Sequence, residues 1–347
     1  MLVSAAGLLY GCGVQGTPHP PRLERPEKIS DLSALQIGQT LELRFSLPQQ
    51  STDGGRLTKP LEIEILRTLA PTGTGLSRLP NFDVWLHLNR PEWSPYAQEN
   101  NISYPAHLTE QEFHQWLGQT LVLAVRTLTR GFRHRAIESE PSNYIDVPIF
   151  DVSEPVANVQ CVVTEKAIEL QFPPPTRMLS GTPLHDLAGY RIYRSSTRDP
   201  ASYKLLGETA TPTYRDTPFE FGQTYYYQVR AAFGRPPHFA LSNASQAVKV
   251  TPLDVFPPAP PEELQGIYSA GAVELVWTAN TEADLAGYNV YRLEDATPRR
   301  LNKELVRTPI FRDTTSPPGK ILTYYVTAVD QSGNESQPSA KETVETR

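Results

Sequence analysis

Cysteine is scarce, with Cys12 and Cys161 the two in 347 residues, so no disulfide framework carries the fold and each domain must bury its own core. After the first dozen residues no run approaches the roughly 18 apolar residues that a membrane-spanning helix requires. Basic charge is not in excess either. Lys and Arg number 32 against 38 Asp and Glu, a net charge of −6, and that balance gives no reason to expect nucleic acid as a partner. Catalytic signatures are missing too: the sequence holds no Gly-x-Ser-x-Gly, no phosphate-binding loop, no Cys-x-x-Cys and no His-Glu-x-x-His. The expectation is a chain that is not an enzyme and takes no cofactor and no metal.

Proline is plentiful instead, at 33 residues, about twice the average share, which suits edge strands, turns and linkers better than helices. The chain also repeats itself. Asp186-Leu187-Ala188-Gly189-Tyr190-Arg191-Ile192-Tyr193-Arg194 returns almost letter for letter as Asp284-Leu285-Ala286-Gly287-Tyr288-Asn289-Val290-Tyr291-Arg292, about a hundred residues later, which marks a duplicated domain. Upstream, Ala167–Phe172 matches Ala272–Trp277 and, more weakly, Thr40–Phe45; downstream, Thr211–Thr217 matches Thr308–Thr314. Alternating runs follow in each copy: Tyr225, Tyr227, Val229 and Ala231; Leu322, Tyr324, Val326 and Ala328; Leu121, Leu123 and Val125. Three copies are present, the first the most diverged.

Each run alternates apolar and polar residues, which turns one face of a strand to a core and the other to water. Short strands between Gly, Pro, Asn and Asp clusters predict an all-β chain of two-sheet sandwiches. Four features carry a more specific resemblance: the aromatic Phe172 or Trp277, the run Gly-Tyr-x-hydrophobic-Tyr-Arg, the run Tyr-x-Tyr-x-Val-x-Ala, and Val329–Ser336 before the last strand. On these the repeat resembles the fibronectin type III domains of bacterial secreted proteins. The resemblance covers most of residues 155–347 and reaches 28–150 in outline. It implies tandem fibronectin type III-like, immunoglobulin-like β-sandwiches at 28–150, 155–252 and 257–347, the first with an insertion over 70–117. Pro-rich joints separate them at 147–155 and 252–261.

Residues 1–11 have the shape of the apolar core of a secretory signal peptide. Leu9-Tyr10-Gly11-Cys12 resembles a bacterial lipobox, although Tyr10 is bulkier than the residue usual there and no Lys or Arg precedes the run. That resemblance implies cleavage before Cys12 and a lipid on its thiol. Cys12-Gly13-Val14-Gln15-Gly16-Thr17 further resembles the start of small outer-membrane lipoproteins, with Gln15 in place of a lysine and Thr17 in place of a proline. It implies a protein of the bacterial envelope, anchored by lipid at the outer membrane. The Pro-rich segment 12–27 then reads as a stalk, at about 3 Å per residue where it is extended. Cys161 falls in the first strand of the second copy, where a small buried hydrophobe is expected.

Residues 70–117 gather Trp85, Trp93 and Trp116 with Tyr96, Tyr104 and His87 among amides and carboxylates. If exposed, Trp85, His87, Trp93 and Tyr96 suit stacking on sugar faces or anchoring a protein interface; as the cover of a diverged sandwich they would be buried. His107, Glu110, Glu112 and His114 match no metal-ligand spacing and read as polar groups of a helical turn. Arg130, Phe132, Arg133, His134 and Arg135 put positive charge and one ring at a hairpin tip, which suits anionic lipid, polysaccharide, an acidic partner or a merely solvated turn. Phe233–Ala240 reads as a lengthened contact loop in the second copy. The function expected is a non-catalytic envelope lipoprotein that spaces and docks a protein partner. A polysaccharide-binding or adhesion module is the alternative, and a glycan-processing enzyme the third reading.

Overall fold

The computed structural model describes residues 23–70, 81–295 and 297–347; the signal-peptide, lipobox and Cys12 readings fall outside the described residues. These form two compact units. One holds the described residues up to Gln160 with Gln171–Tyr214 and Tyr226–Val248, and the other holds Cys161–Leu170, Arg215–Tyr225 and Lys249–Arg347.

In the first copy, alternation produces β1 (Ser33–Ile37), β2 (Thr40–Ser46), β3 (Glu62–Ala70) and β4 (Asp83–Leu88). The short helix α1 (Arg90–Trp93) follows, then β5 (Ala97–Gln98), β6 (Asn101–His107) and helix α2 (Glu110–Trp116). The last strands are β7 (Thr120–Arg130), β8 (Ala136–Glu138) and β9 (Ile145–Pro148). β1, β2, β6 and β5 pair in one sheet, and β4, β3, β7 and β8 in the other, with β9 also on β7. Leu41, Leu43 and Phe45 from the first sheet meet Ile63, Ile65, Leu121, Leu123 and Val125 from the second in one core.

The described residues of the stretch read as an insertion, 81–117, are therefore part of the sandwich. β4 completes one sheet by pairing with β3, and β6 pairs with β2 along its whole length, from Thr40↔His107 to Ser46↔Asn101. Helix α2 begins at Thr109, whose hydroxyl accepts from the Glu112 amide while the Glu112 carboxylate accepts from the Thr109 amide, a reciprocal cap that ends the strand and starts the helix.

The second copy contributes β10 (Gln160–Val163), β11 (Ile168–Gln171), β12 (Leu187–Ser195), β13 (Lys204–Thr209) and β14 (Thr213–Asp216). Its remaining strands are β15 (Tyr225–Arg235), β16 (His238–Leu241) and β17 (Val248–Val250). β10, β11 and β14 pair among themselves, whereas β13, β12, β15 and β16 continue into the first copy as β1, β2, β6 and β5. The junction is a parallel pairing of β1 with β16, Gln36 opposite Ala240 and Ile37 opposite Leu241. The run Phe233–Ala240 is thus a paired hairpin rather than a free loop, and its outer strand is taken up by the junction.

The third copy is a complete sandwich within the second unit. Its strands are β18 (Glu262–Ser269), β19 (Ala272–Thr278), β20 (Leu285–Glu294), β21 (Thr297–Arg300), β22 (Ile310–Asp313), β23 (Ile321–Asp330) and β24 (Glu342–Glu345). β18, β19 and β22 face β21, β20, β23 and β24 across a core of Leu275, Trp277, Tyr288, Val290, Tyr324 and Val326.

The near-identical stretch has a physical cause. Gly189 and Gly287 sit at φ +152° and +154°, each where β12 or β20 slips register against its neighbour, and a Cβ there would lie 2.7 Å from a backbone oxygen. Only glycine tolerates both demands. The tyrosine after it packs edge-on against the preceding aromatic, Phe172 on Tyr190 at 4.9 Å and Trp277 on Tyr288 at 5.1 Å between ring centres. A second device occurs in all three copies: Ser139/Ser142, Ser242/Ser245 and Ser336/Ser339 turn their hydroxyls onto amides of the neighbouring long strand. The amides of Thr127 and Val125, Ala231 and Val229, and Ala328 and Val326 donate to them at 2.9–3.0 Å. These side chains satisfy buried donors where the last strand has left the ladder.

Candidate functional site

The aromatics of the first copy are mostly structural. Trp93 is buried at 7% exposure, with its indole N–H donated to the Leu61 carbonyl at 3.2 Å. Pro91 and the Glu92 carboxylate, which accepts from the Asn89 amide at 2.7 Å, hold the single turn that aims it inward. Trp116 is buried under the Arg67 guanidinium, 4.5 Å from its ring centre. Trp85 is half-buried, edge-on to Trp116, and donates to Glu112 Oε1 at 3.2 Å. Burial raises the Glu112 carboxyl, but bonds from Thr109, Trp85 and the charge of Arg67 outweigh it and hold the group below the usual carboxylate range. Of the two readings of these aromatics, Trp93 and Trp85 take the buried one, packed against the core, so Trp85, Trp93 and Tyr96 form no exposed platform.

Tyr96 alone of that set stands out, 41% exposed and edge-on to Tyr104 at 5.3 Å. It borders a groove of about 630 Å³ floored by Asp31, Glu42, Arg44, Asn101 and Ser103. Sequence reading missed these partners, which β2 and β6 bring together from separate segments. Glu42 is engaged there by Arg44 and by the Ser103 hydroxyl.

His87 belongs to a charge ladder across β4, β3, β7 and β8. Its two ring nitrogens lie 3.1 Å from Glu62 and from Glu64, Arg126 joins Glu64 to Glu138, and Arg130 grips Glu62 with two bonds. The Arg130 guanidinium, aided by His87 and opposed by burial, holds Glu62 below the usual carboxylate range. His107 Nδ1 pairs with the Thr40 hydroxyl, His114 lies against Phe113, and Glu112 caps its helix. Each of these has a local structural partner.

The basic hairpin is closed by its own backbone. Gly131 N–H donates to Arg135 O at 2.8 Å, and Arg133 and His134 both adopt left-handed backbone, φ 56° and 59°. Phe132 projects at 84% exposure with the Arg133 guanidinium 5.3 Å from its ring centre. Arg133, His134 and Arg135 are all exposed.

The chain that leads into the first copy is held against this pole. The Glu24 carbonyl accepts from the Thr129 hydroxyl at 2.6 Å, its carboxylate accepts from Thr58 and Lys59, and around a bridge of Pro26 to Ser51 the Glu27 amide donates to the Gln50 carbonyl and the Thr52 amide to the Arg25 carbonyl. Residues 24–27 are therefore docked on the sandwich, where the sequence suggested the end of a free stalk. Cys161 is half-buried rather than sealed in the core, and burial pushes its thiol up to about 11. In the second unit, carboxylate oxygens of Asp254, Asp284 and Asp330 lie within 4.8 Å of one another; the Ser332 hydroxyl and the Asn334 side chain and amide donate to Asp254 and Asp330.

No family model matches this sequence. A curated relative, Exoglucanase B of Cellulomonas fimi, is 32% identical over 167 residues, which cover 46% of this chain and 14% of the relative; the chain thus spans about a seventh of that protein's length. Among solved structures, an Fn3-like protein from Clostridium thermocellum is 23% identical, with a TM-score of 0.24, covering 26% of this chain and 96% of its own. The chicken CNTN1 FN1-FN3 domains are 14% identical, with a TM-score of 0.27, covering 93% of this chain and 99% of theirs. In the third copy the fourth strand joins the third, sixth and seventh, opposite the first, second and fifth, and in the first copy β4 likewise joins β3, β7 and β8, opposite β1, β2, β6 and β5. By that strand order and the internal repeat, the chain is an all-β protein of tandem fibronectin type III-like β-sandwiches.

Proposed function

We propose that this chain is a non-catalytic bacterial envelope lipoprotein that spaces and docks a protein partner through its tandem domains. The observation that carries the reading is the junction of the first two copies. Gln36, 2% exposed, sits on β1 and donates to Phe150 O at 2.8 Å and to Gly38 O at 3.0 Å, while the Phe150 amide donates back to its Oε1 at 2.9 Å. Gly38 N–H donates to Leu241 O at 2.8 Å, and its left-handed backbone, φ +58°, lies against the Asn243 side chain. Ladder bonds between β1 and β16, beside a buried amide that ties β1 to Phe150, join a sheet of the first copy to a sheet of the second, a joint that suits a spacer better than a flexible linker does. The docking of residues 24–27 and the inward placement of Trp93 fit the same reading.

The anchor at Cys12 rests on the sequence, and on the physics that buried acyl methylenes contribute about 0.8 kcal/mol each. Mass spectrometry of the mature N-terminus is expected to find acylated Cys12, and Cys12→Ala to leave the membrane fraction. Crosslinking in intact cells is expected to recover one recurrent protein partner. Unmodified Cys12, or crosslinks to abundant neighbours alone, would contradict the respective half of the proposal.

One observation favours a second reading. Tyr96 and its polar groove have the make-up of a sugar-stacking site, and the curated relative bears the name of an exoglucanase. Retention of the full chain on insoluble glucan, lost in Tyr96→Ala, would favour that reading over protein docking.

A further inference from the structure

The hairpin tip at Phe132 combines three properties that a solvated turn does not need. Its ring is 84% exposed, its neighbours Arg133 and Arg135 have no carboxylate partner among the described residues, unlike Arg126 and Arg130, and its backbone holds two successive non-glycine residues in the left-handed region. That conformation costs about 1–2 kcal/mol per residue, and it persists here because the Gly131–Arg135 closure holds it. The result is a rigid projection with an apolar point and a cationic collar.

The chain's approach to the sandwich places this tip. Thr129, which binds the Glu24 carbonyl, stands one residue before Arg130, so the polypeptide arrives beside the base of the hairpin. Leu23, 70% exposed, and exposed Arg25 add an apolar and a cationic group to the approaching chain. Twelve residue steps separate Cys12 from Glu24 (24 − 12), a reach of at most about 40 Å. A lipid on Cys12 would thus tether the chain to the bilayer through the side of the sandwich that carries this hairpin.

We propose that the Phe132 tip is a membrane-docking point that seats in the surface of an anionic bilayer. The ring lies at the headgroup–acyl boundary while Arg133 and Arg135 meet lipid phosphates, the arrangement that amphipathic aromatic and basic side chains favour at such an interface. A single projecting ring ringed by cations offers little flat area to a protein, whereas a bilayer takes it from any azimuth. The orientation rests on the lipid at Cys12; the docking itself does not, which lets the two be tested apart.

The test uses the full chain as Cys12→Ser, which carries no lipid, mixed with vesicles of phosphatidylcholine alone or with added phosphatidylglycerol. Co-sedimentation is expected with the anionic vesicles, weakening as salt rises, and not with the neutral ones. The variant Phe132→Ala/Arg133→Glu/Arg135→Glu should lose roughly tenfold or more in affinity, since each basic residue at such a surface contributes about 1 kcal/mol. Arg312→Glu, on β22 of the second unit, should bind as the parent does, and circular dichroism should show both variants folded. Absence of binding, equal binding to neutral vesicles, retention by the triple variant, or tighter binding to a soluble anionic polysaccharide would each overturn the proposal. Vesicle binding in a protein whose wild type has an unmodified Cys12 would uphold the docking point and remove the anchor.

Discussion

Asp313→Ala is expected to destabilise the third sandwich by about 3–5 kcal/mol, because it strands a buried guanidinium. Asp313 and Arg292 are 2% and 4% exposed and meet at 2.7 Å. The second carboxylate oxygen accepts from the Thr315 amide and hydroxyl, and the Tyr324 hydroxyl donates to the oxygen that faces Arg292. With the carboxylate gone, Arg292 keeps Glu294 at the rim but loses its interior counter-charge. Replacing both partners by apolar residues, as Arg292→Met/Asp313→Leu, should recover most of the loss, since well-packed hydrophobes often match a buried pair.

The same carboxyl sets a pH dependence. Burial raises it, but the Thr315 bonds, Tyr324 and Arg292 outweigh burial and hold it below the usual carboxylate range. A depressed folded value means that the contribution is complete above the unfolded value, about 3.9, and is lost as pH falls through the folded one. The gap between wild type and Asp313→Ala should therefore narrow in acid. Denaturant titration followed by Trp277 fluorescence reads this sandwich, whose core contains that ring. A gap below about 1 kcal/mol at neutral pH, within the range of an ordinary surface pair, would contradict the buried-pair account.

Trp93→Ala should cost the first sandwich about 3–5 kcal/mol, the range for truncating a buried large aromatic. Trp93 sits in the same cluster as Leu41, Ile63 and Leu88, and its removal also leaves the Leu61 carbonyl without its indole donor. An exposed binding platform would behave in the opposite way, losing a ligand and keeping its stability. Urea denaturation of the full chain separates the two: an unchanged midpoint for the first transition would return Trp93 to the surface.

The duplicated copies were legible because their constraints are local. Gly189 and Gly287 must be glycine wherever the bulge occurs, and the strands after them alternate with period two, so letters and pattern repeat together. β4 shows its alternation in Asp83–Leu88, but β6 was harder to find, because Asn101–His107 carries Pro105, which usually argues against a strand interior. The Ser-x-x-Ser pair was present in all three copies, at 139–142, 242–245 and 336–339, and would have tied the diverged first copy to the others. It was illegible as a signal because serine hydroxyls replace ladder bonds without any hydrophobic pattern.

The candidate site was less legible for a related reason. Nothing in Asn89–Tyr96 distinguishes a tryptophan pinned by a one-turn helix from one facing water, since the deciding partners, Leu61 and the β3 strand, lie about thirty residues upstream in the chain, a separation that no local window spans. The parallel pairing of β1 with β16 joins segments about two hundred residues apart by backbone groups alone, and backbone pairing leaves no trace in residue type.

That junction is the centre of the account, and a distance measurement tests it most directly. Spin labels at Gln98→Cys on β5 and Lys204→Cys on β13 would mark strands at the two ends of the shared sheet, in a chain with Cys12→Ser and Cys161→Ser. Pulsed dipolar spectroscopy should give one narrow distance distribution, broadened by Gln36→Ala, which removes the buried amide that ties β1 to Phe150 of the linker beside the joint. A broad distribution in the parent, unchanged by Gln36→Ala, would mean that the first two domains move freely and that the chain is not a fixed spacer.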